Sequence, residues 1–171
     1  RVILYTSFMH VGEARVWTNG SLNAAHPNWA QRNASQSPWR FEGQNSPLSP
    51  CSIEVQDYTA GYAVEQAKAM HLPEATMMDN NEMGPLAWGC PSSGCGYEPP
   101  CVAAFDRYCR ARFNHSVLAV CFGVDPTVTI APPLREAQGT PLYGLWVHWR
   151  NVAMASLNQR FGNVLRSNGR S

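Results

Sequence analysis

CPSSGCGYEPPCVAAFDRYCRARFNHSVLAVC, residues 90–121, holds five of the six cysteines of this chain: Cys90, Cys95, Cys101, Cys109 and Cys121. The sixth is Cys51. An even number of cysteines in a loop-rich chain reads as a disulfide framework. The same stretch suggests how the elements alternate. Pro99-Pro100 opens a helix whose inner face is Val102, Phe105, Cys109 and Phe113, spaced as one apolar stripe, with Cys101 close to that side. Ser116–Val124 is an apolar, β-branched run stopped by Asp125-Pro126, which predicts a strand carrying Cys121. Three disulfides among Cys51, Cys90, Cys95, Cys101, Cys109 and Cys121 would staple the preceding loop onto this helix and strand, each contributing about 2–4 kcal/mol. Their connectivity stays open, and free buried thiols are the alternative reading. Zinc asks for two closely spaced ligand pairs. Cys90 and Cys95 offer one, Cys101 and Cys109 are too far apart for a second, and no metal site is expected.

Working outward, Val2–Phe8 predicts a buried strand and Ala14–Trp17 a short second one, ended by Asn19-Gly20. Residues 19–50 read as a long loop with one helical turn near Trp29. Thr59–His71 predicts a helix capped by Thr59, with Ala63, Ala67 and Met70 on one face and Pro73 beyond its end. Residues 72–100 form a second long loop. Thr127–Ile130 predicts a strand. Leu142–Trp149 predicts another, with Trp146 and His148 on one face and Val147 and Trp149 on the other. A last helix is expected over Asn151–Leu165, striped by Met154, Leu157, Phe161 and Val164. The sum is an α+β fold: a small, mainly antiparallel sheet, about three helices and long disulfide-stapled loops. It forms a single domain over residues 1–166, with a flexible C-terminal tail at 167–171.

At 171 residues the chain can bury a core of its own. Charged residues make up 15%, against roughly 25% in ordinary soluble domains, while Trp, Tyr and Phe number six each. Scarce charge with abundant aromatics matches the core of a protein–protein interface as well as a heavily buried chain. The net charge of +1 gives no field to attract nucleic acid, and no nucleic-acid partner is expected. Residues 137–171 nevertheless carry four arginines and no acid. Their helix is a candidate for contact with an anionic membrane surface, set against the commoner reading that it packs on its own domain. No apolar run approaches the ~18 residues that span a bilayer. The chain opens at Arg1, which fits a processed protein or a piece of a longer one. Sequons at Asn19, Asn33 and Asn114 are candidate glycosylation sites and, with the cysteines, point to an extracytosolic setting, secreted or organelle-lumenal.

Catalytic signatures are missing. There is no nucleophile elbow, phosphate-cradling glycine loop or paired-histidine metal motif, and no cofactor is expected. Asp79–Glu82 reads as a polar turn, its continuation lacking the calcium-loop ligands. His10 with Glu13, and His148 among tryptophans, are candidate bases. Trp146, His148 and Trp149 are candidate ligand or interface residues, a core role being the commoner one for tryptophan. Three functions follow. The first is a non-catalytic structural or interaction subunit of a larger extracytosolic assembly, whose partners are other protein subunits. The second is a secreted hydrolase with a site assembled from dispersed histidine and carboxylate residues. The third is a glycan or small-ligand binder using a Trp-rich face, drawn from Tyr143–Trp149 with Trp17, Trp29, Trp39 and Trp88.

Overall fold

The computed structural model describes residues 3–7, 25–38, 48–69, 75–79 and 96–168. These are mostly helical. In chain order they form strand β1 (Ile3–Ser7), a 3-10 turn at Pro27–Trp29, helix α1 (Ile53–Ala69), strand β2 (Ala75–Asp79), helix α2 (Pro99–Arg112), helix α3 (His115–Phe122), a 3-10 turn at Arg135–Ala137 and helix α4 (Pro141–Ser167). The only strand pairing among the described elements is a short parallel ribbon, with Ile3 opposite Ala75 and Ser7 opposite Asp79.

The expected α+β fold with its mainly antiparallel sheet is therefore overturned. Ser116–Val124 is not a strand but α3. Asn114 caps it, accepting a hydrogen bond from the Val117 amide at 2.9 Å, and Gly123 ends it at φ 65°, donating to Ala119 O. A polar N-cap and a left-handed glycine stop outweigh the strand preference of three β-branched or aromatic residues. Leu142–Trp149 is not a strand either. Thr140 accepts from the Tyr143 amide, Pro141 takes the first helical position, and the backbone then runs unbroken to Ser167. Its buried residues, Trp146, Trp149, Arg150, Leu157, Phe161 and Leu165, recur at helical spacing. Alternation over eight residues could not distinguish this stripe from a pleat.

Thr127–Ile130 is a loop held by side chains. Asp125 accepts from the Thr127 amide and hydroxyl at 2.8 and 2.6 Å, a local turn that competes with extended pairing. Asp106 and Arg110, one turn apart on α2, grip this loop. Arg110 donates to the carbonyls of Pro126 and Val128, and Asp106 accepts from the Ile130 amide at 2.8 Å while pairing with Arg110 at 2.9 Å. Ile130 is thereby pressed into the core.

Helix α1 begins earlier than expected. Ser52 stands before its first turn, its hydroxyl accepting from the Val55 amide. Thr59 lies mid-helix and donates to Val55 O instead of capping. Helix α2 starts at Pro99 as expected and buries Cys101, Phe105 and Cys109. The expected strand Ala14–Trp17, the ends His71 and Pro73, and the tail beyond residue 168 lie outside the described residues.

Helix α4 spans ~40 Å at 1.5 Å per residue and carries the core along its length. Near its start, Trp146 and Trp149 pack with Tyr97, Cys101, Phe105, Cys109, Leu118 and Ile130. Leu157 joins Trp29, Leu48 and Val55 in a second cluster, and Phe161 and Leu165 close on Ala60, Ala63 and Val64 of α1 in a third. Aromatic pairs set the first cluster, Phe105 with Trp149 at 5.3 Å and Tyr97 with Trp146 at 5.8 Å between ring centroids.

Burial opposes ionisation of Asp106, but hydrogen bonds from Arg110 and the Ile130 amide outweigh it and hold its carboxyl below the ordinary value. A depressed carboxyl stabilises the fold above its unfolded pKa, and that contribution is lost as pH falls through the folded value. Asp106→Asn is expected to lower Tm by about 2–4 °C at neutral pH. The gap between parent and variant should narrow below pH ~3.8, measured by thermal circular dichroism.

Candidate functional site

Pro99 and Pro100 start α2, so the residue before them must remain extended, and Glu98 does so at φ −64° and ψ 148°. Its carbonyl accepts from the Cys101 and Val102 amides, while its side chain makes no capping bond and turns inward. There it is fully buried. Oε2 accepts from the Arg32 amide at 3.1 Å, and Oε1 accepts from the Ser49 hydroxyl at 2.7 Å. The same Oε1 lies 3.0 Å from Cys101 Sγ.

Cys101 is joined to Cys51, with their Cα atoms 5.0 Å apart. A disulfide sulfur has no hydrogen to give, so the Glu98 contact fits a protonated carboxyl whose O–H is turned toward sulfur. Oε2 then accepts the amide, while Oε1 accepts the serine hydroxyl and donates to Sγ. Electrostatics agree. Burial drives the Glu98 carboxyl above its ordinary value, and the hydrogen bonds from Arg32 and Ser49 only partly offset this.

Arg150 lies nearby on α4, buried, with its guanidinium 4.8 Å from the Trp146 ring centroid. Burial pulls its pKa down, and Tyr143, Tyr97 and Glu98 pull it up. Tyr97 donates to Pro133 O at 2.8 Å, and burial pushes its hydroxyl up to about 12. Four segments thus meet here: 29–38, 48–52, the start of α2 and the first half of α4.

Two open grooves, about 670 and 680 Å³, adjoin this buried cluster. Cys51 and Arg107 line both. The first runs along α4 past Trp149, Ser156 and Arg160, and the second past Asn28, Glu54 and Pro99. Cys51 is part-exposed, whereas Cys101 is fully buried. Cys51, Glu98 and Cys101 bring their donor atoms within 4.8 Å of one another, but the sulfurs are spent on their own bond and leave the carboxyl as the remaining metal-binding group.

The other expected site residues are dispersed. Cys109 is buried and Cys121 exposed, and neither has a disulfide partner among the described residues. Burial pushes the Cys109 thiol up to about 11, helped by the nearby Asp106 carboxylate, which keeps it unreactive. Trp146 and Trp149 fill the core instead of facing solvent. His148 is exposed, its ring 6.5 Å from that of Tyr108, with no carboxylate hydrogen-bonded to it among the described residues. Asn114 is exposed and Asn33 half-buried in a tight turn, where its Oδ1 accepts from the Ser37 amide. Cys90, Cys95, Asn19, His10 and Glu13 lie outside the described residues.

Sequence reasoning missed Glu98, Ser49, Arg107 and Arg150. Arg150 had a signal, since it lies one turn beyond Trp146 once residues 142–149 are read as helix. Glu98 had none beyond its position before two prolines. Comparison of the chain with protein-family models finds no match, and comparison with the curated proteins finds none.

A carboxyl whose folded pKa is raised stabilises the fold fully below its unfolded value, and that contribution is lost as pH rises through the folded pKa. The urea midpoint of the protein is therefore expected to fall as pH rises above ~4.5. Glu98→Gln should flatten that decline, because an amide can accept from the Arg32 amide and donate to Ser49. Glu98→Ala should cost about 2–4 kcal/mol at every pH through the cavity and the stranded donors.

Proposed function

We propose that this chain is a non-catalytic interaction subunit of an extracytosolic or organelle-lumenal assembly, and that it docks on another protein subunit through the outer face of α3. The observation that carries this reading is the character of α3 itself. Its sequence, HSVLAVCF, is apolar nearly all round, which ordinarily marks a helix enclosed on every side. Leu118 is buried on the inner side, but Ala119, Val120 and Cys121 are exposed, Val120 at 81%. Val128, on the loop that follows, is also exposed. Charge is scarce across the chain, as it is at the centre of stable interfaces.

The closed Cys51–Cys101 disulfide supports an oxidising compartment, where sequons at Asn33 and Asn114 would be glycan acceptors. Trp146 and Trp149 are buried, and no carboxylate is hydrogen-bonded to His148 among the described residues, which favours this reading over the glycan-binding and hydrolase ones at those positions. Trp17, Trp39, Trp88, His10 and Glu13 lie outside the described residues.

Val120→Glu tests the proposal. A glutamate at so exposed a position should change folding stability by less than about 0.5 kcal/mol. Sedimentation of the protein from the cells that make it is expected to place the parent in a particle well above the chain's 18.9 kDa and the variant at that mass. A parent that sediments as a lone chain would sink the reading.

A further inference from the structure

The disulfide is asymmetric in a way that a purely structural staple does not require. Cys101 is shut away from solvent, while Cys51 lines two open grooves. A buried carboxyl stands 3.0 Å from the hidden sulfur and is held there by Ser49 and the Arg32 amide. A cation, Arg107, lines both grooves together with Cys51, and its charge also reaches Asp106. The carboxyl takes no part in capping α2 and faces the disulfide instead.

We infer that Cys51–Cys101 is a thiol-exchange site: a small dithiol attacks Cys51 Sγ from the grooves, and the Glu98 carboxyl gives its proton to the departing Cys101 sulfur. Disulfides exchange by thiolate attack on one sulfur with departure of the other. Here Cys51 is the part-exposed half and Cys101 the buried half, which dictates the order of events. One sulfur of the dithiol, as thiolate, bonds to Cys51 Sγ. The Cys51–Cys101 bond breaks, its electron pair stays on Cys101 Sγ, and the Glu98 proton neutralises that sulfur, which would otherwise carry a charge in a buried place. The second dithiol sulfur, also as thiolate, then attacks the first, closing the reductant's own disulfide and releasing Cys51 as thiolate. Two electrons pass from the dithiol to the protein. The two protons it sheds are matched by one regained by Glu98 and one taken up by Cys51. Arg107 attracts the incoming thiolate and stabilises the Cys51 thiolate on release.

The groups facing Glu98 are Cys101 on α2, Ser49 and the Arg32 amide, and Arg150 from α4. Arginine keeps its charge and Tyr97 titrates only near about 12, so the carboxyl, raised by burial, is the group of this cluster that titrates below them. The test uses the full native chain with dithiothreitol as probe, acid quenching, alkylation and peptide mapping at Cys51 and Cys101. The pair is expected to open without denaturant, and a monothiol such as glutathione should be trapped on Cys51 and not on Cys101. Glu98→Gln should keep its circular dichroism and slow opening by at least about ten-fold. In the parent, the rate divided by the thiolate concentration should fall as pH rises through the Glu98 titration, a readout that needs no variant. A pair that opens only on unfolding, an adduct on Cys101, a Glu98→Gln rate equal to the parent's, or a flat corrected profile would each overturn the inference.

Discussion

Enclosing the Glu98 carboxyl is the constraint on which the described structure turns. A carboxyl cannot be taken from water unless its oxygens find partners, and here those partners come from elsewhere in the chain: the Arg32 amide, the Ser49 hydroxyl and the sulfur of Cys101. Satisfying the carboxyl therefore brings the 29–38 segment, the 48–52 segment and the start of α2 to one point. Supporting bonds follow the same path. Ser49 donates its amide to Trp29 O, Tyr97 donates its amide to Arg32 O, and Gln36 donates through its side chain to Tyr97 O. The disulfide closes a loop of 50 residues across the same junction, a cross-link of about 4 kcal/mol by the loop-entropy account.

Helix α4 is the second organising element, and it works differently. Hydrogen bonding gathers the Glu98 region, whereas α4 simply offers one apolar stripe long enough to serve three clusters in turn. The cluster around Trp146 and Trp149 is dense in aromatics because α2 presents Cys101 and Cys109 on either side of Phe105, small residues that leave room for large rings. Toward its far end the partners become Ala60, Ala63 and Val64 of α1, small residues facing Phe161 and Leu165.

The legible parts of the fold were those announced by two agreeing local signals. Pro99-Pro100 together with a regular apolar stripe marked α2, and Pro27–Trp29 forms the single turn expected near Trp29. Helices α3 and the first half of α4 were misread because Val, Phe, Trp and Tyr favour extended chain, and eight residues are too few to separate a pleat from a helical stripe. The deciding signals were short: Asn114 and Gly123 around α3, and Thr140-Pro141 before α4. The candidate site was harder to read. The cysteines drew attention rightly, yet the pair that closes joins Cys101 to Cys51, the cysteine outside the cluster. Glu98 was invisible because burial of an acid is decided by what folds over it, and Arg107 because a surface arginine acquires meaning only from the sulfur beside it.

Arg150 has a consequence for how α4 finds its place. A purely apolar stripe is forgiving: a helix that slips along its partners by one turn, about 5.4 Å, exchanges one hydrocarbon contact for another at small cost. Arg150 removes that tolerance. Its guanidinium lies by the Trp146 ring, within the electrostatic reach of Tyr143, Tyr97 and Glu98. A slip in either direction would drive a fixed positive charge against hydrocarbon and cost several kcal/mol. The buried cation thus acts as an index mark, making one alignment of a long helix distinguishable from its near-copies.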